Sequence, residues 1–369
     1  MKILLTTSIF PPDIGGPATY VDKLAEKLAP NHQVEVVTFS DQKISDRPFK
    51  VYKVGIKGNS ILRQWHLFRT VYRQAKNVDI IYSQGAMVVG LMSVLVGKLL
   101  KKKIIIKFVG DEVWERAQTD KIFPVSLKTF YHKSPAGGYK FLSWLQKLSM
   151  QLTIQIITPS KELKRFLINI YGISAAKISV IPNAAEGQIF KAAKIKNQLI
   201  FAGRLVPWKY VGDIIRAVAL AQRKNPWRLV IVGKGPEKKR LIQLSKNLQV
   251  NWVYFAGALS HKQTLRKISQ SQILLLYSSY EGLPHVLIEA MLSKTAIVAS
   301  DISINREVLE NGKLGRLVGL SEPEALAEAI IKGCTRGMID KAEEIAKQKY
   351  SWDNHLRLLL KIMSVQRRK

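Results

Sequence analysis

Short aliphatic and β-branched runs alternate with stretches of helical period along almost the whole chain. In the first half, "KILLTT" (2–7), "QVEVVTF" (33–39), "DIIYS" (79–83), "KIIIKFV" (103–109), "IQIITP" (154–159) and "ISVIP" (178–182) predict strands. Helical patterns lie between them at 17–29, 61–76, 85–100, 139–150 and 160–170. Continuous apolar strands separated by helices indicate a parallel sheet covered on both faces. The alternation then restarts with "QLIFAG" (198–203), "WRLVIVG" (227–233), "NWVYFAG" (251–257), "QILLLYS" (272–278) and "TAIVAS" (295–300), with helices at 210–223, 236–247, 261–270 and 284–293. The polar, Lys-rich "KAAKIKNQ" (191–198) marks the seam. The pattern predicts two doubly wound α/β domains, 1–190 and 191–351, followed by a C-terminal helix over 352–369. Open sheets of this kind bind ligands at the carboxyl ends of their strands, so the ligand is expected in a cleft between the halves.

Length supports two domains, since 369 residues exceed what most single cores organise. With 47% hydrophobic and 23% charged residues, the composition is that of an ordinary globular chain. The charge is not ordinary: 58 Lys and Arg against 27 acids leave a formal net charge of +31, shared by both halves. Such a surface favours polyanions: nucleic acid, an anionic membrane or phosphorylated substrates. The one cysteine, Cys334, excludes an internal disulfide and a cysteine metal cluster. No H-E-x-x-H or D-x-D pattern offers itself to a metal, and no metal ligand is assigned. "MKILLTTSIF" lacks a small-residue cleavage site and reads as a first buried strand. "AMVVGLMSVLVG" (86–97) is too short to span a bilayer.

Several constellations carry candidate chemistry. In "FAGRLVPWKY" (201–210), Arg204 and Lys209 follow a strand directly and suit a diphosphate, although exposed loop cations are common. "VIVGKGPEKKRL" (230–241) has a Gly233-x-Gly235 turn but Lys238 where a dinucleotide fingerprint needs its third Gly. In "SIFPPDIGGPATY" (8–20), Gly15 and Gly16 precede Pro17 at a helix start, where exposed amides can approach an anion. In "SSYEGLPHVLIEAMLSKT" (278–295), Glu281 lies just before a helix and Glu289 lies inside its apolar run. A poorly solvated carboxylate needs hydrogen-bond donors. Either Glu289 grips a ribose and Glu281 a donor sugar, or each is held in an internal ion pair.

Together these segments resemble the family 4 retaining glycosyltransferases of GT-B fold. The resemblance rests on the Glu281-x7-Glu289 pair within "EGLPHVLIEAM", on Gly203-Arg204-Leu205 with Lys209, and on "PSKEL" (159–163), "VIPNAAE" (180–186), "IVGKGPE" (231–237), "FAGALSH" (255–261) and "GRLV" (315–318). It implies that Arg204 and Lys209 hold the diphosphate and Glu289 the ribose. Glu281, Gly282 and Leu283 would hold the donor sugar, and Gly15, Gly16, Gly233 and Leu259 would lie against the donor. It also implies that the last helix crosses back onto the N-terminal domain. Four positions depart from the pattern. No His follows strand 103–109; Asp111 or Glu112 is the nearest replacement, and Asp111 could equally cap the next helix. Tyr210 and Lys294 stand where members commonly have Gly, and Tyr277 replaces a Pro.

The reaction implied is transfer of a hexose-type sugar from a UDP- or GDP-linked donor to a hydroxyl, keeping the anomeric configuration. The nucleotide sugar is a co-substrate, no cofactor is expected, and Arg204 and Lys209 would stabilise the leaving diphosphate in place of a metal. In "ILRQWHLFRTVYRQAK" (61–76), Ile61, Trp65, Phe68 and Tyr72 form one stripe flanked by Arg69, Arg73 and Lys76, as on a helix lying on anionic lipid or facing a core. With "KLLKKK" (98–103), it points to a lipid-linked or cell-envelope glycan acceptor and a cytoplasmic protein peripheral to the inner membrane face. A nucleic-acid-binding protein would explain the charge, but no recognition motif appears, so no nucleic acid is expected. A nucleotide-sugar epimerase on the same scaffold is the alternative enzyme. The oligomeric state is not legible.

Overall fold

The structure, a computed structural model, describes residues 1–13, 15–120, 127–133, 137–185 and 192–364. The chain divides into two compact units, Met1–Ile181 and Pro182–Lys369. The first contains a parallel sheet of β1 (Lys2–Thr7), β2 (Gln33–Phe39), β3 (Lys50–Val54), β4 (Ile80–Gln84), β5 (Lys103–Lys107), β6 (Gln155–Thr158) and β7 (Ile178–Val180), in the order β3-β2-β1-β4-β5-β6-β7. The second contains β8 (Gln198–Ala202), β9 (Arg228–Val232), β10 (Val253–Gly257), β11 (Ile273–Leu276), β12 (Ala296–Ser300) and β13 (Arg316–Val318), in the order β10-β9-β8-β11-β12-β13. The order in which the chain adds strands reverses once in each sheet, between β1 and β4 and between β8 and β11. These are the switch points at which open α/β sheets leave a crevice.

The strands form where the apolar runs predict them. β8, β11 and β12 are buried along their whole length, which is why they carry no alternation. β3 and β13 were not predicted as strands: β3 is a half-exposed edge with the mixed pattern "KVYKV", and β13 is three residues long. Helices start at local caps. Ser160 accepts from Leu163 N at 3.2 Å, and Ser260 forms a capping box with Gln263. Additional helices occupy Glu112–Thr119, Leu127–His132, Ser303–Val308, Pro323–Lys332 and Arg336–Lys349. The helix predicted from Trp352 is present as Trp352–Ser364 and belongs to the second unit, where His355 Nδ1 donates to Pro182 O at 2.7 Å.

Tyr210 and Lys294 both adopt positive φ, 45° and 50°. That is the conformation which glycine occupies without strain, and it explains why glycine commonly fills these places. Lys294 offsets its strain by pairing with Asp340 at 3.2 Å and Glu343 at 3.0 Å. Lys294→Gly is therefore expected to be more stable than Lys294→Ala by about 1 kcal/mol, because both lose the pairs and only glycine relieves the backbone. Urea unfolding of the two variants checks this.

Candidate functional site

The carboxyl ends of β8, β9, β10 and β11 bring the second unit's candidate residues onto one rim of the sheet. Beyond β8 the chain passes Gly203 and Arg204 and makes a tight turn, Pro207–Lys209. Beyond β9 it passes Gly233. The two loops meet backbone to backbone: Gly203 N donates to Val232 O at 3.0 Å, and Leu205 N to Lys234 O at 2.8 Å. Gly233 has φ +145°, and a Cβ there would stand 1.9 Å from Gly203 O. The Gly-x-Gly turn is thus a steric requirement of this contact.

Beyond β11, across the switch point, Ser279 N donates to Trp208 O at 2.9 Å and ties the second loop to the Lys209 turn. Ser300 Oγ accepts from Ser278 N at 3.1 Å and donates to Ser278 O at 2.6 Å, and Asn305 Nδ2 holds Ser300 O at 2.9 Å. Within this frame Lys209 Nζ donates to Glu281 Oε1. Ser278 Oγ donates to the same oxygen at 2.7 Å. Both ends of the Lys209–Glu281 pair are mostly buried. The internal-pair alternative is therefore realised for Glu281, with Lys209 as its partner. The Arg204 guanidinium lies 5.7 Å from the Trp208 ring centroid, a cation–π arrangement that aligns it along the same loop.

Glu289 lies in the helix His285–Leu292, where Leu287, Ile288, Ala290 and Met291 are buried around it. Its Oε1 accepts from His261 Nε2 at 2.9 Å. His261 opens the next helix, directly after the Ser260 cap. Gly282 precedes the buried Leu283, and Leu259 packs on the core cluster that also contains Leu283 and Leu287. Tyr277 is buried where the pattern has a Pro: its hydroxyl donates to Gly319 O and accepts from Glu322 N at 3.1 Å.

The remaining candidates lie in the first unit. Gly15 caps the helix Gly16–Leu28 in an extended conformation. A Cβ at Gly16 would meet nothing within 4 Å. Asp111 takes the capping role that the sequence offered beside the catalytic one. Its side chain is wholly buried and caps the helix Glu112–Thr119 through Trp114 N at 2.7 Å. It also accepts from Tyr171 Oη at 2.6 Å, Tyr131 Oη at 2.9 Å and Gln146 Nε2 at 3.1 Å. Burial raises its pKa against the lowering effect of those donors. A carboxylate so enclosed is held in place by these hydrogen bonds, and the expected cap is present. Glu112 is likewise engaged, accepting from Ala86 N at 2.8 Å, and burial moves its pKa up to about 6.

Sequence reasoning passed over Ser278 and His261 as chemistry. Both stood inside quoted motifs, but nothing in their spacing names the acids they touch. It also passed over Lys107, fully buried at the end of β5, whose pKa burial lowers to about 7 and whose Nζ donates to Ile181 O at 3.2 Å. Among the described residues, no group of three or more His, Cys, Asp or Glu side chains could hold a metal ion.

The chain is similar to known sequences and structures. The family description "Glycosyl transferases group 1" matches residues 184–352, and "Glycosyltransferase Family 4" matches residues 14–186. This chain is a group 1, family 4 glycosyltransferase. It is 25% identical to an uncharacterized glycosyltransferase of Methanocaldococcus jannaschii, over 98% of each chain. It is 27% identical to the O-antigen chain mannosyltransferase RfbU of Salmonella typhimurium, over 51% of this chain and 54% of that one. The Anabaena protein HepE, crystallised with UDP and glucose, superposes with a TM-score of 0.78 at 19% identity, over 99% of this chain and 100% of that one. WaaG, a glycosyltransferase involved in lipopolysaccharide biosynthesis, superposes at 0.71 with 14% identity, over 98% and 100%. The glycosyltransferase fold is therefore the two-domain α/β GT-B fold.

Proposed function

We propose that this glycosyltransferase moves a hexose-type sugar from a UDP- or GDP-linked donor to a hydroxyl of a lipid-linked or cell-envelope glycan, with retention and without a metal ion. The observation that carries the reading is the pairing of Lys209 with Glu281 at the β8/β11 switch point, on the loop that carries Arg204, with Glu289 eight residues after Glu281 in the helix His285–Leu292. A diphosphate entering there would take Lys209 from Glu281, and the released carboxylate would accept hydrogen bonds from the sugar. Arg204 and Lys209 would then face the negative charge that grows on the leaving diphosphate. Glu289, held by His261, would accept from the ribose hydroxyls. UDP in the HepE crystals supports a uridine donor. The net charge of +31 supports an acceptor presented at an anionic membrane face. Among the described residues, no helix is long and apolar enough to cross a membrane.

A thermal-shift panel of UDP, GDP, ADP and their sugars tests this. A cognate ligand at a hundred times its Kd is expected to add about 2.7 kcal/mol of apparent stability. Glu289→Ala is expected to weaken that ligand by about 10- to 100-fold, the loss of hydrogen bonds to a charged acceptor. If none of the panel stabilises the protein, the reading fails. Product analysis separates transfer to an acceptor from epimerisation of the donor.

A further inference from the structure

Residues 53–70 of the first unit enclose a cavity of about 350 Å³ on the surface, remote in sequence from every donor-site residue. Its lining includes Lys53, Lys57, Arg63 and His66, and no carboxylate lines it. Lys53 Nζ donates to Gln42 O at 3.1 Å and Arg63 Nη1 to Ile56 O at 3.0 Å. Both contacts are to neutral carbonyls, which position the cations without cancelling their charge. The Arg63 guanidinium also lies 5.8 Å from the Phe39 ring centroid, and its remaining N–H groups form a fork suited to a phosphate. Asp41, which reaches this loop, is occupied in accepting from Ile56 N at 3.0 Å.

The apolar surroundings point outward. Ile56 is 44% exposed, Ile61 76%, Leu62 58% and Trp65 58%, and all four lie on the loop and first helical turns that bound the cavity. The predicted stripe is thus split by the fold. Leu67, Val71 and Ala75 face the core, and Phe68 and Tyr72 are partly buried against it. Trp65 continues the aromatic row outward, stacked on Phe68 at 5.8 Å. A soluble protein rarely leaves four large apolar side chains together around a cationic hollow without a use for them. Asn59, the amide in the lining, has its Oδ1 engaged by Ile61 N at 2.8 Å, and the hollow offers no carboxylate to grip a sugar chain. A cationic centre with aliphatic and indole groups standing proud around it matches the boundary between phosphate headgroups and acyl chains.

We propose that this cavity binds the phosphate headgroup of an anionic phospholipid while Ile61, Leu62 and Trp65 enter the acyl boundary. The inference deepens the membrane-face part of the proposed function, but it does not depend on the donor.

The test is flotation of the full chain with vesicles of phosphatidylcholine alone and of phosphatidylcholine with phosphatidylglycerol. Binding is expected only to the second, and added salt weakens it. Lys57→Glu is expected to lower partitioning about tenfold, whereas Lys341→Glu, the same charge change in the second unit, lowers it less than about twofold. Trp65→Ser is expected to lower it at unchanged net charge. Each variant is read alongside its thermal unfolding and its response to UDP. Equal losses for Lys57→Glu and Lys341→Glu would reduce the effect to net charge and overturn the site. So would absence of binding to anionic vesicles, or displacement by single-stranded RNA that Trp65→Ser abolishes. If the vesicle results hold and no nucleotide stabilises the protein, the donor reading falls and this site stands.

Discussion

Lys209→Ala is expected to lower kcat/KM for sugar transfer by about 10²- to 10³-fold, the scale on which a preorganised charge at a developing anion acts. Most of that loss should appear in kcat, because charge accumulates on the diphosphate as the glycosidic bond breaks. The variant also leaves Glu281, mostly buried, with Ser278 but without its cation. A drop in stability of about 1–3 kcal/mol is therefore expected to accompany the kinetic loss. Lys209→Ala with Glu281→Gln separates the two effects. Neutralising the stranded carboxylate should restore much of the melting temperature and none of the rate. If the single variant keeps more than about a tenth of wild-type kcat at saturating donor, Lys209 does not stabilise the leaving group.

Gly233→Ala is expected to be the most damaging single-methyl change in the second unit. The new Cβ would sit 1.9 Å from Gly203 O, a backbone atom, and at φ +145° an L side chain is strained whatever the space. The Gly203 and Gly233 loops would have to separate, carrying Arg204 with them. A loss of about 3–5 kcal/mol is expected in urea unfolding, in the range of severe overpacking with backbone strain. Gly337→Ala is the control: nothing lies within 4 Å of its Cβ, and a change within about 1 kcal/mol is expected.

The same two loops indicate how far the residues alone carry the site. Gly233 and Gly235 were legible as a turn, because glycine in a strand-to-helix junction permits a sharp change of direction. Their contact with the loop after β8 was not legible, because it depends on β8 and β9 being neighbours in the sheet. Arg204, Lys209, Glu281 and Glu289 were legible as chemistry by type and by position after strands. Their partners were not: Lys209 and Glu281 are 72 residues apart, and His261 and Glu289 are 28 apart. Asp111 shows the converse. Its type and place after β5 suited catalysis and capping equally. Only the tertiary structure shows Tyr131, Tyr171 and Gln146 converging on it while it caps the helix.

Local periodicity determined the elements of this protein. Apolar strands, amphipathic helices and caps are set by contacts within a few residues, and they are written in the order of the side chains. The excess of positive charge and the succession of glycosyltransferase motifs were equally a property of the chain alone. The tertiary structure decided which charges meet, which glycines are obligatory and which part of an apolar stripe stays at the surface. Those outcomes depend on strand order and on the distance between segments remote in sequence, and pairing energies fall off within a few ångströms of contact.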